Sequence, residues 1–380
     1  MKSSVKINGK RLLANFFRLA AIDSESYQER KMADALTQEL TGLGFTVCED
    51  DAGAKIGGNA GNLYAFLPGE LPGEPILFSG HMDTVKPGIG KQAVIHDDGR
   101  ITSCGDTVLG SDDLACIAPV LEGVRAVLES RLPHRDLEIV FSVCEELYCE
   151  GIKVFDFSKL SARHAYVLDM SGFPGAAALS APTILSFEAE ILGKSAHAGF
   201  EPEKGIHAIR IMSEAIAALP QGHLDSETTF NIGYIGGGSQ TNIVPASCIC
   251  RGEVRSSCHE TALAAAARAR EVLEQIAAQY GASCRFETKI HIRAYQTEPS
   301  DICVRRFQKV CGELGLSGDL TATFGGSDNN VFAQHGITGI VLSCGMNQVH
   351  TVQEYTSREE LAAAAQMAAA LCLLEEDTLQ

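Results

Sequence analysis

Pro75-Ile76-Leu77-Phe78-Ser79-Gly80-His81-Met82-Asp83 sets the architecture: an apolar run of strand length stops at a glycine, and two side chains able to serve a metal follow. The same ending recurs along the chain. Residues 105–111 lead into Asp112-Asp113, residues 137–144 into Glu145-Glu146, and residues 165–168 into Asp169. The run 339–343 is followed, seven residues on, by His350. Open α/β sheets place their sites outside the carboxyl ends of their strands. Two histidines and several carboxylates converging there have the ligand set of a two-metal hydrolase.

Around these endings helix and strand alternate. Leu12, Leu13, Phe16 and Leu19 share one helical face, and Met32, Leu36 and Leu40 another, closed by Gly44. Apolar strands are expected at 63–67, 76–78, 137–143 and 166–168, with a helix over 112–129. The pattern changes near Ala181, where Phe187, Ala189 and Ile191 alternate with polar residues as in a half-buried strand. A helix through Ile209, Met212, Ile216 and Leu219, strands near 228–235 and 247–255, a helix over 260–280 and a strand over 283–292 follow. That order is β-α-β-β-α-β, a ferredoxin-like unit. The expected fold is therefore α/β, with a discontinuous catalytic domain (1–180 and 295–380) and an inserted domain (181–294). The metal-binding residues lie on both sides of the insert.

The chain has 380 residues, long enough for two cores. Its 48 acidic against 31 basic residues give a net charge of −17, which disfavours nucleic acid and anionic membranes as partners. Thirteen cysteines, none in a C-x-x-C pair, read as reduced thiols of a cytoplasmic protein. Residues 12–21 are interrupted by Arg18, so no signal peptide is expected there. The apolar stretch 361–374 is short of a membrane span and is preceded by a capping box, Ser357 and Glu360.

Each candidate has an ordinary structural role as well. His81 and Asp83 form only an H-x-D pair, in which the carboxylate can fix the imidazole tautomer. Asp112-Asp113 opens a helix, where Asp is a favoured N-cap, yet a cap leaves an oxygen able to bridge two cations. Glu145-Glu146 after an apolar run would repel each other unless a cation lay beside them. One of the pair can bind metal and the other can accept a proton from water.

The chain resembles the di-zinc peptidase superfamily of aminoacylase, glutamate carboxypeptidase and peptidase T. The matching stretches are Gly80-His81-Met82-Asp83-Thr84-Val85, Gly110-Ser111-Asp112-Asp113, Cys144-Glu145-Glu146, Leu168-Asp169, Gly193-Lys194-Ser195-Ala196-His197-Ala198-Gly199, Thr241-Asn242-Ile243-Val244-Pro245, Gly325-Gly326-Ser327-Asp328-Asn329-Asn330 and Val349-His350-Thr351. The branch it most resembles is the peptidase T-like one, which removes an N-terminal residue from short peptides. The resemblance implies one zinc on His81 and Asp169, a second on Glu146 and His350, and Asp112 shared between them. It implies Glu145 as general base, Asp83 orienting His81, His197 stabilising the oxyanion, and Asn242 and Arg255 holding the substrate's carboxylate end. An Asp at position 169, rather than Glu, goes in that family with aminopeptidases and dipeptidases. Relatives with such an insert often dimerise through it, which implies a homodimer with His197 acting in trans.

The resemblance thus implies a tripeptide aminopeptidase, and the mixed imidazole and carboxylate donors lead to an expectation of two Zn2+ per chain, Co2+ or Mn2+ being substitutes. An N-acyl amino acid deacylase and a non-catalytic peptide-binding homologue are the alternatives. Leu114, Cys116 and Tyr148 depart from the family pattern and put substrate fit in question.

Overall fold

A computed structural model describes residues 5–374. The chain divides into two compact units: Met1–Ser180 with Gln296–Thr323 and Ser327–Gln380, and Ala181–Tyr295 with Phe324–Gly326.

The first unit is built on a mixed sheet of nine strands. Its order runs Thr46–Glu49, Leu63–Leu67, Arg135–Ser142, Leu71–His81, His164–Ser171, Thr338–Met346, Ala176–Ala181 and Tyr295–Gln296, with Asp319–Ala322 also pairing to Ala176–Ala181. The four middle strands, Arg135–Ser142 to Thr338–Met346, are parallel. Their runs 76–81, 137–142, 165–168 and 339–346 are buried, as parallel strands covered on both faces must be, which is why these stretches read as continuous apolar runs. Helices Gly9–Ala20, Ser111–Ser130 and Arg358–Cys372 pack together against this sheet. Gly123 allows the last two to touch: a Cβ there would lie 2.7 Å from the Ala365 carbonyl oxygen.

Two expectations need correction. The helix beginning at Ser111 is not capped by an Asp side chain: Asp112 and Asp113 stand at its non-helical start, but the Asp112 oxygens face His81 and His350 and Asp113 Oδ2 accepts from the His81 N–H. The capping box at the last helix is only half formed. Ser357 accepts from the Glu360 N–H at 3.1 Å, but Glu360 turns away to accept from Asn347 Nδ2 at 2.9 Å. Tyr355–Ser357, Arg100–Ser103 and Ala93–Ile95 form a separate small sheet, whose strands are too short to show a period in the sequence.

In the second unit Thr183–Leu192, Ala208–Ala217, Thr228–Gly237, Ser247–Ser256, His259–Gln279 and Ser283–Ile292 follow in the expected order. All strand pairs are antiparallel, and the two-residue strand Gly222–His223 adds a fifth member at one edge. Leu185, Phe187, Ala189 and Ile191 meet the helices' inner faces in a core of their own. Among the described residues no helix is long and apolar enough to cross a membrane.

Candidate metal centre

The parallel strands bring their endings together. His81 is the last residue of Leu71–His81, Asp169 lies near the end of His164–Ser171, and Glu145-Glu146 and His350 follow Ser142 and Met346 within four residues. His81, Asp112 and Asp169 form one group of donors, and Asp112, Glu146 and His350 a second, with the donor atoms of each within 4.8 Å of one another. Asp112 belongs to both. Its Oδ1 is 3.0 Å from His81 Nε2 and its Oδ2 3.1 Å from His350 Nε2, which is also 3.0 Å from Glu146 Oε2.

Local backbone makes this approach possible. Gly80 precedes His81, and a Cβ there would come within 2.5 Å of Asp113 Oδ2 and 2.6 Å of Cys116 Sγ. Asp113 Oδ2 instead accepts from the His81 N–H at 3.1 Å. Glu354 fixes the segment before Asp112: its Oε2 accepts from the Leu109 and Gly110 N–H groups, and its Oε1 from Ser111 Oγ and the Asp112 N–H. His81 Nδ1 lies 3.0 Å from the Asp83 carbonyl oxygen and 3.4 Å from Asp83 Oδ1, which leaves Nε2 for the donor group. The Asp83 carboxylate accepts mainly elsewhere, from Ser26 Oγ at 2.7 Å and from the Glu145 and Glu146 N–H groups at 2.9 and 3.3 Å.

The charge balance calls for cations. Burial, then the charge of Asp112, pushes the Asp169 carboxyl well above its ordinary range; burial and Asp169 do the same to Glu145. Glu146 is raised by burial and Asp112, and its Oε1 is buried with no hydrogen-bond partner. Burial opposes a charge on His81, but the hydrogen bonds with Asp112 and Asp83 outweigh it and hold its pKa well above normal. His350 is raised to about 11 by its bonds to Asp112 and Glu146. Raised imidazoles set among crowded, raised carboxylates make a charge arrangement that divalent ions would relieve. The donor set therefore fits two metal ions sharing Asp112.

His197, Asn242 and Arg255 belong to the second unit. His197 is exposed, stacks on Phe200 with ring centroids 4.2 Å apart, and accepts at Nδ1 from the Gly199 and Phe200 N–H groups. It lies beside Asn242, whose carbonyl accepts from the Ala198 N–H at 2.9 Å. Arg255 is already engaged, donating from Nε to Glu253 at 2.6 Å and from Nη1 to the Phe324 carbonyl at 2.9 Å. Leu114 and Cys116 are core residues, and Tyr148 is exposed with a positive φ of 64°.

Sequence reasoning passed over Glu354 and Asp328. Glu354 had a signal in being a carboxylate four residues past His350, and Asp328 stands in the quoted Gly-Gly-Ser-Asp stretch.

Residues 180–281 match the peptidase dimerisation domain, and residues 62–215 match peptidase family M28. An aminopeptidase PepT from Bacillus cereus has 39% identity and a TM-score of 0.91, with 97% of this chain and 98% of that one covered. The chain belongs to the peptidase T-like branch of the M20 metallopeptidases. A tripeptidase from Staphylococcus aureus shares 32% identity at a TM-score of 0.94 over the same shares of the two chains. The uncharacterized protein YqjE of Bacillus subtilis is 38% identical over 365 residues, 96% of this chain and 98% of that protein. A dinuclear metal-binding M20 peptidase from Bacillus subtilis, at 18% identity and a TM-score of 0.72 over 96% of this chain and 97% of that one, shares the fold. As a member of this branch the chain is a metallo-exopeptidase.

Proposed function

We propose that this peptidase T-like enzyme releases the N-terminal residue of tripeptides and similar short peptides, as a zinc-dependent homodimer in the cytoplasm. The observation that carries the reading is Asp112, which turns one oxygen to His81 and the other to His350, at the junction of two donor groups. His81 and Asp169 would hold one ion, Glu146 and His350 the other, and Asp112 both. Mixed imidazole and carboxylate donors suit zinc, with cobalt or manganese able to replace it. When bound, such a pair supplies hydroxide near neutral pH and polarises the scissile carbonyl.

The side chains do the rest. Glu145 takes the proton of the attacking water and passes it to the leaving amine. Asp83 keeps His81 in the tautomer that presents Nε2 and pins the Glu145-Glu146 turn. His197 stabilises the oxyanion, acting on the site of the partner protomer. Asn242 and Arg255 hold the substrate's carboxylate end, for which a planar guanidinium is suited once it exchanges Glu253 for substrate. The free thiols of all 13 cysteines fit a reducing compartment.

The deciding experiment is metal analysis joined to a screen of di-, tri- and tetrapeptides and N-acetyl amino acids. About two divalent ions per chain and fastest cleavage of tripeptides are expected. Full activity in demonstrably metal-free protein would overturn the reading. Faster hydrolysis of N-acetyl amino acids would make the protein a deacylase, and a metal-loaded protein that cleaves neither would be a peptide binder.

A further inference from the structure

A second buried cluster lies beside the metal donors and contains none of them. Glu145, Cys149 and Asp328 are all buried, with donor atoms within 4.8 Å of one another. Cys149 Sγ donates to Glu145 Oε1 at 3.2 Å. Asp328 is anchored from the other side, its Oδ2 accepting from Ser142 Oγ at 2.5 Å, and its carboxylate also lies within reach of the Cys149 thiol. Ser142 ends the strand that delivers Glu145, so the cluster is tied to the sheet.

The backbone goes out of its way to place this thiol. After the turn Glu145–Leu147, Tyr148 and Cys149 both adopt left-handed conformations, with φ of 64° and 60°. The turn returns Cys149 over Glu145, and its N–H donates to the Glu145 carbonyl at 2.7 Å. A left-handed conformation costs a non-glycine residue about 1–2 kcal/mol. Glycine at 149 would avoid that cost, and would present no donor.

We propose that Cys149 is a positioning residue whose thiol holds Glu145 Oε1 and so directs Oε2 toward the water that the carboxylate deprotonates. The inference rests on Glu145 being the general base. A glutamate swings about three side-chain torsions; fixing one oxygen selects the rotamer in which the other meets its proton.

The test uses metal-loaded, full-length protein with trialanine as substrate. Cys149→Gly removes the thiol and relieves the backbone, whereas Cys149→Ser keeps a donor. Cys149→Gly should lower kcat about 10- to 100-fold, the scale of a misplaced catalytic group, with KM changed less than about twofold. Metal content and melting temperature should match the wild type, and Cys149→Ser should recover most of the loss. If Cys149→Gly loses metal or melts early, Cys149→Ala takes its place with the same expectations. Wild-type kcat in the variant lacking the thiol, an equal loss in Cys149→Ser, or an effect confined to KM overturns the proposal. Glu145→Gln belongs in the same series. Were it as active as wild type, the base assignment would fall and this inference with it. An inactive Glu145→Gln beside a fully active Cys149→Gly would remove this inference alone.

Discussion

Replacing Glu354 should damage the metal centre without touching a ligand. Its carboxylate is buried and receives four hydrogen bonds, from the Leu109, Gly110 and Asp112 N–H groups and from Ser111 Oγ, at 2.7–2.9 Å. Burial pushes its pKa up, and these donors oppose that by stabilising the charge. Glu354→Ala leaves four donors without their acceptor. At about 1–3 kcal/mol for each buried unpaired group, the low end already amounts to about 4 kcal/mol, and we take the low end because water can enter the space left. Glu354→Gln keeps one acceptor oxygen and turns an NH2 toward the other two donors, so about half of that loss is expected. The segment that slackens is the one carrying Asp112, so metal affinity should fall about 10- to 100-fold, as it does when a partner of a ligand is removed elsewhere. Urea unfolding of the chelated protein reads the first effect. Zinc titration against a chromophoric chelator reads the second. Unfolding midpoint and zinc affinity both equal to wild type in Glu354→Ala would refute the reasoning.

The remaining predictions concern the base, the assembly and pH. Glu145→Gln should keep both metals and lose about two to four orders of magnitude in kcat, whereas Glu146→Gln should weaken one metal site, as metal content and steady-state rates will tell. Mixing inactive Glu145→Ala chains with inactive His197→Ala chains should restore about a quarter of wild-type activity per site if the histidine acts across a two-fold dimer; no recovery after proven subunit exchange refutes action in trans. Burial raises Asp328 from 3.8 to about 6, so the native state there binds the proton more tightly than the unfolded chain. Stability relative to Asp328→Asn should therefore be highest below about pH 4, fall as pH rises to about 6 and stay level above, by at most about 3 kcal/mol. Chemical denaturation of both proteins across that range, after chelation, measures it; a difference independent of pH would mean that Asp328 titrates normally.

What the sequence made legible was whatever repeats or alternates. Most of the candidate donors were visible because parallel strands buried on both faces appear as apolar runs with a donor at or shortly after their ends, as in 76–81 and 165–169, whereas residues 105–110, ahead of Asp112, form no strand. The β-α-β-β-α-β unit was visible because its strands alternate and its helices are amphipathic. Supporting contacts had no such pattern. Glu354 reaches a segment 242 residues away, and Glu29 accepts from the Cys144 N–H across 115 residues. Tyr148 and Cys149 turn the chain through left-handed backbone without the glycine that would have announced it. Phe324–Gly326 packs with the second unit although its neighbours on both sides belong to the first, and composition does not mark the exchange.

The backbone N–H groups around the candidate donors are gathered by two residues, Asp83 and Glu354, and that accounts for how a site assembled from so many loops can be precise. Asp83 is fully buried. Its carbonyl meets His81, its Oδ1 takes the Glu145 N–H, and its Oδ2 takes the Glu146 N–H together with Ser26. A donor assigned to one ion, a donor assigned to the other, and the base are thereby positioned from a common origin. Displacements of that origin move all three together and preserve their mutual distances, which matter more to the chemistry than their place in the fold. Asp112 is held independently, by Glu354, from the opposite end of the chain. The ligand geometry is then the relation of two rigid anchors, Asp83 and Glu354. Each is a carboxylate that saturates backbone N–H groups where strands and helices leave them unpaired, so the acidic residues of this site divide into those that would face the metals and those that hold the loops that carry them.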